Sequence, residues 1–262
     1  MAADKEPTIY VKELDHSALE MCLVGTSPLL LNEMSEKVRR ELLLPKGKKS
    51  TAEKATSIKH DPFREFRDAA RKFSDPEAPT LIAFPAPAIK SAMMTAALRL
   101  PGAKKTEIGQ LVWITDYSIP IWGIPELSMM VTRSADFSHT PDVRTRPMLK
   151  RWAAKVVVNY MTPHLNSQTI TNLLSGAGML AGIGDFRQEK GKGAFGQFRI
   201  CSDTDSEFQD LMTNGGRAAQ IKAMANPIAA DDETSKLLSW FEAEVDTRGK
   251  RSLMEVVKKE VA

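Results

Sequence analysis

The sequence predicts an α+β fold built on a βαββαβ core. Three observations predict it. Segments with apolar period two and segments with periods three and four follow one another in the order strand, helix, strands, helix, strand. The two helical segments each present a single apolar face. A glycine-rich stretch, "GIGDFRQEKGKGAFGQFRI" (Gly182–Ile200), then joins the second helix to the last strand.

The first strand opens "SALEMCLVGTSPLLLN" (Ser17–Asn32): Leu19, Met21 and Leu23 alternate with Glu20, Cys22 and Val24 until Gly25 and the Ser27-Pro28 pair interrupt them. Met34 to Phe73 is polar and basic. It reads as an insertion, with "LPKGKKSTAEK" as an exposed loop and a helix after it that Asp61 caps and Pro62 opens. "FPAPAIKSAMMTAALRLPG" (Phe84–Gly102) is the first core helix, with Ile89, Ala92, Met93, Ala96, Ala97 and Leu100 on one face. Leu111 to Arg133 is β-rich, broken at Pro120 and Pro125. Ser134 to Pro147 reads as a long polar loop, and Trp152 to Met161 holds another strand. "NSQTITNLLSGAGMLAG" (Asn166–Gly182) is the second core helix, with Asn166 as its cap and Gly182 as its stop. "AFGQFRIC" closes the core as a strand, and residues 203–262 read as an acidic helical tail. The order suits a ferredoxin-like unit with long insertions, residues 1–202, the basic insertion lying at 34–80.

The chain has 262 residues and a formal charge of +3, so distribution matters more than the total. From Glu36 to Lys72 there are twelve Lys/Arg against six Asp/Glu, and Arg144 to Lys155 holds five basic residues and no acid. Asp231 to Asp246 reverses the sign, with six acids and one Lys. The cysteines, Cys22 and Cys201, lie far apart in sequence and read as buried free thiols, without metal-ligand spacing or a disulfide framework. "MAADKEPTIY" lacks an apolar signal core, and no run approaches the roughly 18 apolar residues of a membrane helix. The expectation is a cytoplasmic protein without membrane contact.

Three motifs compete for the glycine stretch. "GKGAFG" fits a kinase glycine loop, but only 66 residues follow Gly196 and they hold no catalytic or metal-binding signature. "GAGMLAG" (Gly176–Gly182) has the glycines of a dinucleotide fingerprint, yet they sit inside a helix and not at its start, which reads as a helix pressed close against another backbone. "KGAFGQF" (Lys192–Phe198) comes near an RNA-recognition strand signature with Ala194 as an extra residue. Glycines can expose backbone N–H groups to phosphate, and Arg187, Lys190, Lys192 and Arg199 bring positive charge.

With these pieces in order, the chain resembles the RAMP superfamily, which supplies the repeated backbone subunits of CRISPR effector complexes. The glycine stretch is similar to that family's glycine-rich loop, "LVGTSPLLLN" (Leu23–Asn32) to its first strand and Ser-Pro-Leu turn, and "FPAPAIKSAMMTAAL" (Phe84–Leu98) to its first helix. The resemblance implies an RRM/ferredoxin-like core and a non-catalytic subunit that polymerises with copies of itself along a single-stranded guide RNA, beside other effector subunits. It implies a β-hairpin thumb, for which Trp122 to Pro147 is the candidate. It carries RNA-contacting roles onto Lys90, Arg187, Lys190, Gly191, Lys192, Gly193 and Gly196. Charge alone adds Lys46, Lys48, Lys49, Arg144, Arg146 and Arg151, and Phe195, with Phe137 and Trp122, is a candidate for base stacking. No cofactor or metal is implied. Some relatives cleave RNA through an early Asp or a His. The matching region here offers Asn32, Glu33 and Glu36 but no Asp, and His16, His60, His139 and His164 are scattered. Two other readings stay open: a phage or plasmid single-stranded DNA-binding or annealing protein, and a RAMP-like RNA endonuclease.

Overall fold

The computed structural model describes residues 13–34, 39, 43, 60–133, 141–190 and 193–260. Its centre is an antiparallel sheet of β1 (Asp15–Gly25), β3 (Ala83–Pro85), β5 (Ser118–Trp122), β8 (Ala153–Thr162) and β9 (Phe198–Cys201), in the order β3-β5-β8-β1-β9. The short β4 (Val112–Trp113) also pairs with β8. With helices α2 (Ala86–Ala97) and α4 (Ser167–Gly176) placed between the strands in the chain, β1, α2, β5, β8, α4 and β9 trace βαββαβ. Their spatial order, last-first-third-second, is that of a ferredoxin-like sheet.

Alternation along β1 decides what covers each face. Met21 and Leu23 enter the main core with Ile89, Met93, Ile170 and Leu174 from the two helices. Cys22 and Val24 point the other way, beneath α5 (Ser206–Asn214), against Phe208 and Leu211. Each fully buried side chain of this size contributes about 1.5–3 kcal/mol. Asn166 caps α4 by accepting from the Thr169 amide at 2.8 Å, and Asp61 caps α1 (Pro62–Asp68), with Pro62 at its first turn. Beyond Gly176 the second core helix continues as a π-turn, Ala177–Ala181, that ends at Gly182. Gly178 lies so close to β9 that an added Cβ would sit 2.1 Å from the Phe198 carbonyl oxygen, the close backbone approach that the interior glycines predict.

Three expectations need correcting. Ser134 to Pro147 is not all loop: β7 (Pro141–Leu149) pairs along its length with β6 (Pro125–Arg133), and residues between them lie outside the description. The arginines there alternate with Val143, Thr145 and Pro147, a period-two pattern hidden by prolines and charges. A further helix, α3 (Lys105–Leu111), forms where none was expected. Of the two cysteines expected to be buried, Cys22 is buried but Cys201 is only half-buried at the end of its strand; both are free thiols as expected, and they are register partners on neighbouring strands.

The hairpin β6–β7 forms a second, smaller sheet with β2 (Leu29–Leu30). The helical segment after β9 is knit into both sheets. The Leu127 amide donates to Ile228 O at 2.7 Å, the Ala230 amide to Leu127 O at 2.8 Å, and the Met129 amide to the buried Thr234 hydroxyl in α7 (Asp232–Glu260). Gln220, fully buried in α6 (Arg217–Ala225), accepts from the Leu81 and Ile82 amides and donates to the carbonyls of Ile121, Gly123 and Gly215. Among the described residues no helix is long and apolar enough to cross a membrane.

Candidate nucleic-acid interface

Three sequence-distant pieces meet beside β2. Leu30 pairs with Met148 of the hairpin, and its carbonyl accepts from the Asp185 amide of the glycine loop at 3.0 Å. Asp185 then joins all three: its Oδ2 accepts from Asn32 Nδ2 at 2.9 Å and lies 3.0 Å from Arg146 Nη1. The Arg146 side chain is 4% exposed, Asp185 32%. Burial pulls the guanidinium below its ordinary range; Asp185 opposes that shift and Arg144 adds to it. The ion pair is close but poorly aligned, because Nη1 and Nε of Arg146, with the Thr145 hydroxyl, are buried without a hydrogen-bond partner among the described residues. The Arg146 guanidinium carbon also sits 5.6 Å from the centre of the Phe186 ring, and Phe186 holds a left-handed backbone, φ +53°.

From this junction a groove runs along the surface. Glu33 lines three adjoining depressions of about 500, 270 and 430 Å³, which share it as a common wall. Arg71 grips Glu33 as a fork, Nη2 to Oε1 at 3.0 Å and Nε to Oε2 at 3.3 Å, and this bond raises the Arg71 pKa. Arg39 also donates to Glu33. The Arg71 guanidinium lies 5.2 Å from the ring of Tyr117, whose large exposed face borders the groove. Counting the residues that line the three depressions gives seven Lys/Arg against five Asp/Glu. The arrangement can hold an extended anionic chain, with Tyr117 as a flat surface beside it.

The glycine loop itself differs from its expected role at several amides. Those of Phe195 and Gly196 donate to Phe186 O and Pro28 O, and those of Asp185 and Phe186 to Leu30 O and Asp185 Oδ1. They hold the loop's shape and do not face a ligand. Gly196 takes φ +72°, and a Cβ there would lie 1.7 Å from the Ile183 carbonyl oxygen, so the position admits only glycine. Gly193 is half-buried beside Phe186, and Phe195 packs partly against Leu30 and Met148.

The predicted residues divide by place. Arg144, Arg146 and Arg187 line the groove, Arg144 exposed. Arg187 is braced by Glu189 at 2.8 Å and by Gly184 O at 2.9 Å. Lys190 ends the 3-10 turn Gln188–Lys190, while Gly191 and Lys192 lie outside the described residues, as do Lys46, Lys48, Lys49, Glu36, Phe137 and His139. Lys90 is half-buried in α2, two residues past the groove-lining Ala88. Arg151 belongs elsewhere: it pairs with Glu207 and Asp210 of α5, as Arg199 pairs with Asp205 and Glu207. Trp122 is buried in the core. His60 faces Glu65 at 2.8 Å and Asp142 at 3.0 Å, one carboxylate on each ring nitrogen, so neither nitrogen is open to a substrate proton in this arrangement. Among the described residues no three His, Cys, Asp or Glu stand together as a metal site. Sequence reasoning missed Arg71, Tyr117 and Asp185. The first lies inside the basic insertion, where eleven other cations share its signal.

No family model matches the chain, and no curated protein matches it. Among solved structures, the crystal structure of Cmr6 from Pyrococcus furiosus is similar at 10% sequence identity. The alignment covers 71% of this chain and 98% of that one, with a TM-score of 0.36.

Proposed function

We propose that the chain is a non-catalytic subunit that binds single-stranded RNA, lying along a guide strand with copies of itself in a CRISPR-type ribonucleoprotein. The sequence resemblance motivates the reading. The observation that carries it is the groove: three adjoining open depressions, walled by the hairpin, the segment after β2 and the glycine loop, with a surplus of cations and an exposed aromatic ring. An open furrow of this form suits a polymer better than an enclosed small molecule.

The test is a salt titration of labelled single-stranded RNA. Affinity falls with salt, and log affinity against log salt loses about 0.7 of slope for each phosphate contact removed. The double change Lys190→Ala, Lys192→Ala lowers affinity and flattens the slope. An unchanged titration curve overturns the reading. Competition with single-stranded DNA of the same sequence decides between RNA and DNA as the partner, and an RNA of defined length that copurifies identifies the guide.

A further inference from the structure

Cys22 and Cys201 face each other. As register partners across the antiparallel pair β1–β9, their side chains leave the same face of the sheet. Both lie against one apolar cluster beneath α5, with Val24, Trp122, Phe208 and Leu211. Both are free thiols. Directly opposed residues in such a ladder have Cα atoms about 4.5–5.5 Å apart, and a disulfide spans about 4.4–6.8 Å. β1 is fixed on its other side by β8, whereas Cys201 is the last residue of β9 and leads into an exposed turn. The adjustment that closing a bond demands can therefore fall on the strand end.

We propose that Cys22 and Cys201 form a thiol pair that closes to an intramolecular cross-strand disulfide when the protein meets a small disulfide oxidant such as oxidised glutathione. Cys201, half-buried, reacts first, since Cys22 is only 6% exposed. Its thiolate attacks one glutathione sulfur, and one glutathione leaves and takes up a proton. Cys22 gives up its proton, attacks the Cys201 sulfur and releases the second glutathione. The two thiols lose two protons and two electrons, and the oxidised glutathione takes them up to become two thiols. The bond bolts the strand that follows the glycine loop onto β1.

The pair is slow to react near neutrality. Burial, aided by the Asp205 and Glu207 carboxylates and opposed by Arg199, pushes the Cys201 thiol up to about 11; burial, opposed by Lys155 and aided by Glu20 and Asp203, raises Cys22 as well. Thiolate is the nucleophile, so the rate of closure rises about tenfold per pH unit between roughly 7 and 9.

The experiment incubates the full chain with oxidised glutathione across that pH range, then unfolds it with iodoacetamide present and measures intact mass. The expected product is lighter by two hydrogens, carries no alkyl group, and regains two alkylatable thiols after dithiothreitol. Cys22→Ser stops at one glutathione on Cys201; if that variant does not fold, the native chain alone decides. Two alkylatable thiols after incubation at about pH 9, a glutathione adduct that persists on the native chain, a disulfide-linked dimer, or a rate indifferent to pH each overturn the proposal.

Discussion

Two arginine-bearing regions of this molecule look alike in sequence and differ in physics. Beside β2, Arg146 is nearly sealed from water with Asp185 as its counter-ion, side chains 4% and 32% exposed. Under α5, Arg151 and Arg199 meet Glu207, Asp210 and Asp205 with their own side chains 57% and 42% exposed. Water and salt screen the second group, so each pair contributes little, and removing one leaves nothing stranded. The first pair joins three chain segments, and removing one partner leaves a charge with little solvent to take it. A count of basic residues along the chain gives both regions the same weight.

The widest separation comes from Asp185→Ala. It strands Arg146 and should cost about 2–4 kcal/mol, a fall in Tm of about 5–15 °C by calorimetry. Restoring a neutral match with Asp185→Asn and Arg146→Met together recovers most of it. A harmless Asp185→Ala would mean that the two regions do not differ. Next, Gly196→Ala collides with Ile183 O and carries a positive φ. It should cost at least about 2 kcal/mol and disturb the loop without touching a charge, seen as lost protection of loop amides in hydrogen exchange. A smaller effect separates function from stability. Arg144→Ala should lower single-stranded RNA affinity several-fold and take about 0.7 from the salt slope, with stability held within about 0.5 kcal/mol. Arg151→Ala should leave the RNA titration unmoved; equal losses from the two would misplace the groove.

The smallest effect is a pH dependence on the α5 side. The hydrogen bond from Arg199, and next the Phe208 amide, hold the Asp205 carboxyl below its ordinary range. A depressed carboxyl stabilises the fold above its unfolded pKa, near 4, and that contribution fades as pH falls through the lower folded value. Arg199→Ala should move the Asp205 titration upward, followed by carbon-detected NMR, and shrink this acid-side loss.

The core was legible because its signals are local and repeated. Ile89, Met93 and Ala96 recur at helical spacing, Asp61 and Asn166 sit where caps belong, and Met21 and Leu23 alternate with Cys22 and Val24. The strand at Pro141–Leu149 was not legible residue by residue, because Pro141, Pro147 and the arginines mimic a loop and only its partner β6 makes it a strand; only the resemblance, with its hairpin over Trp122 to Pro147, pointed to strands there. The groove was legible in part. Arg144, Arg146 and Arg187 carried a charge signal, but which of them is buried depends on Leu30 and Asp185, far apart in sequence. The glycines signalled a special backbone. They could not say whether its amides would face a ligand or, as at Phe195 and Gly196, the protein's own carbonyls.

Gln220 has a consequence for how the molecule comes into being. Its one amide satisfies polar groups at Leu81, Ile82, Ile121, Gly123 and Gly215, all of them made on the ribosome before it. A nascent chain halted after β9 owns every strand of the central sheet yet lacks the key that quiets its interior amides and carbonyls, so the native state is laid down early and latched late. Arrested chains should stay protease-sensitive around Leu81 and Gly123 until the segment carrying Gln220 has cleared the exit tunnel.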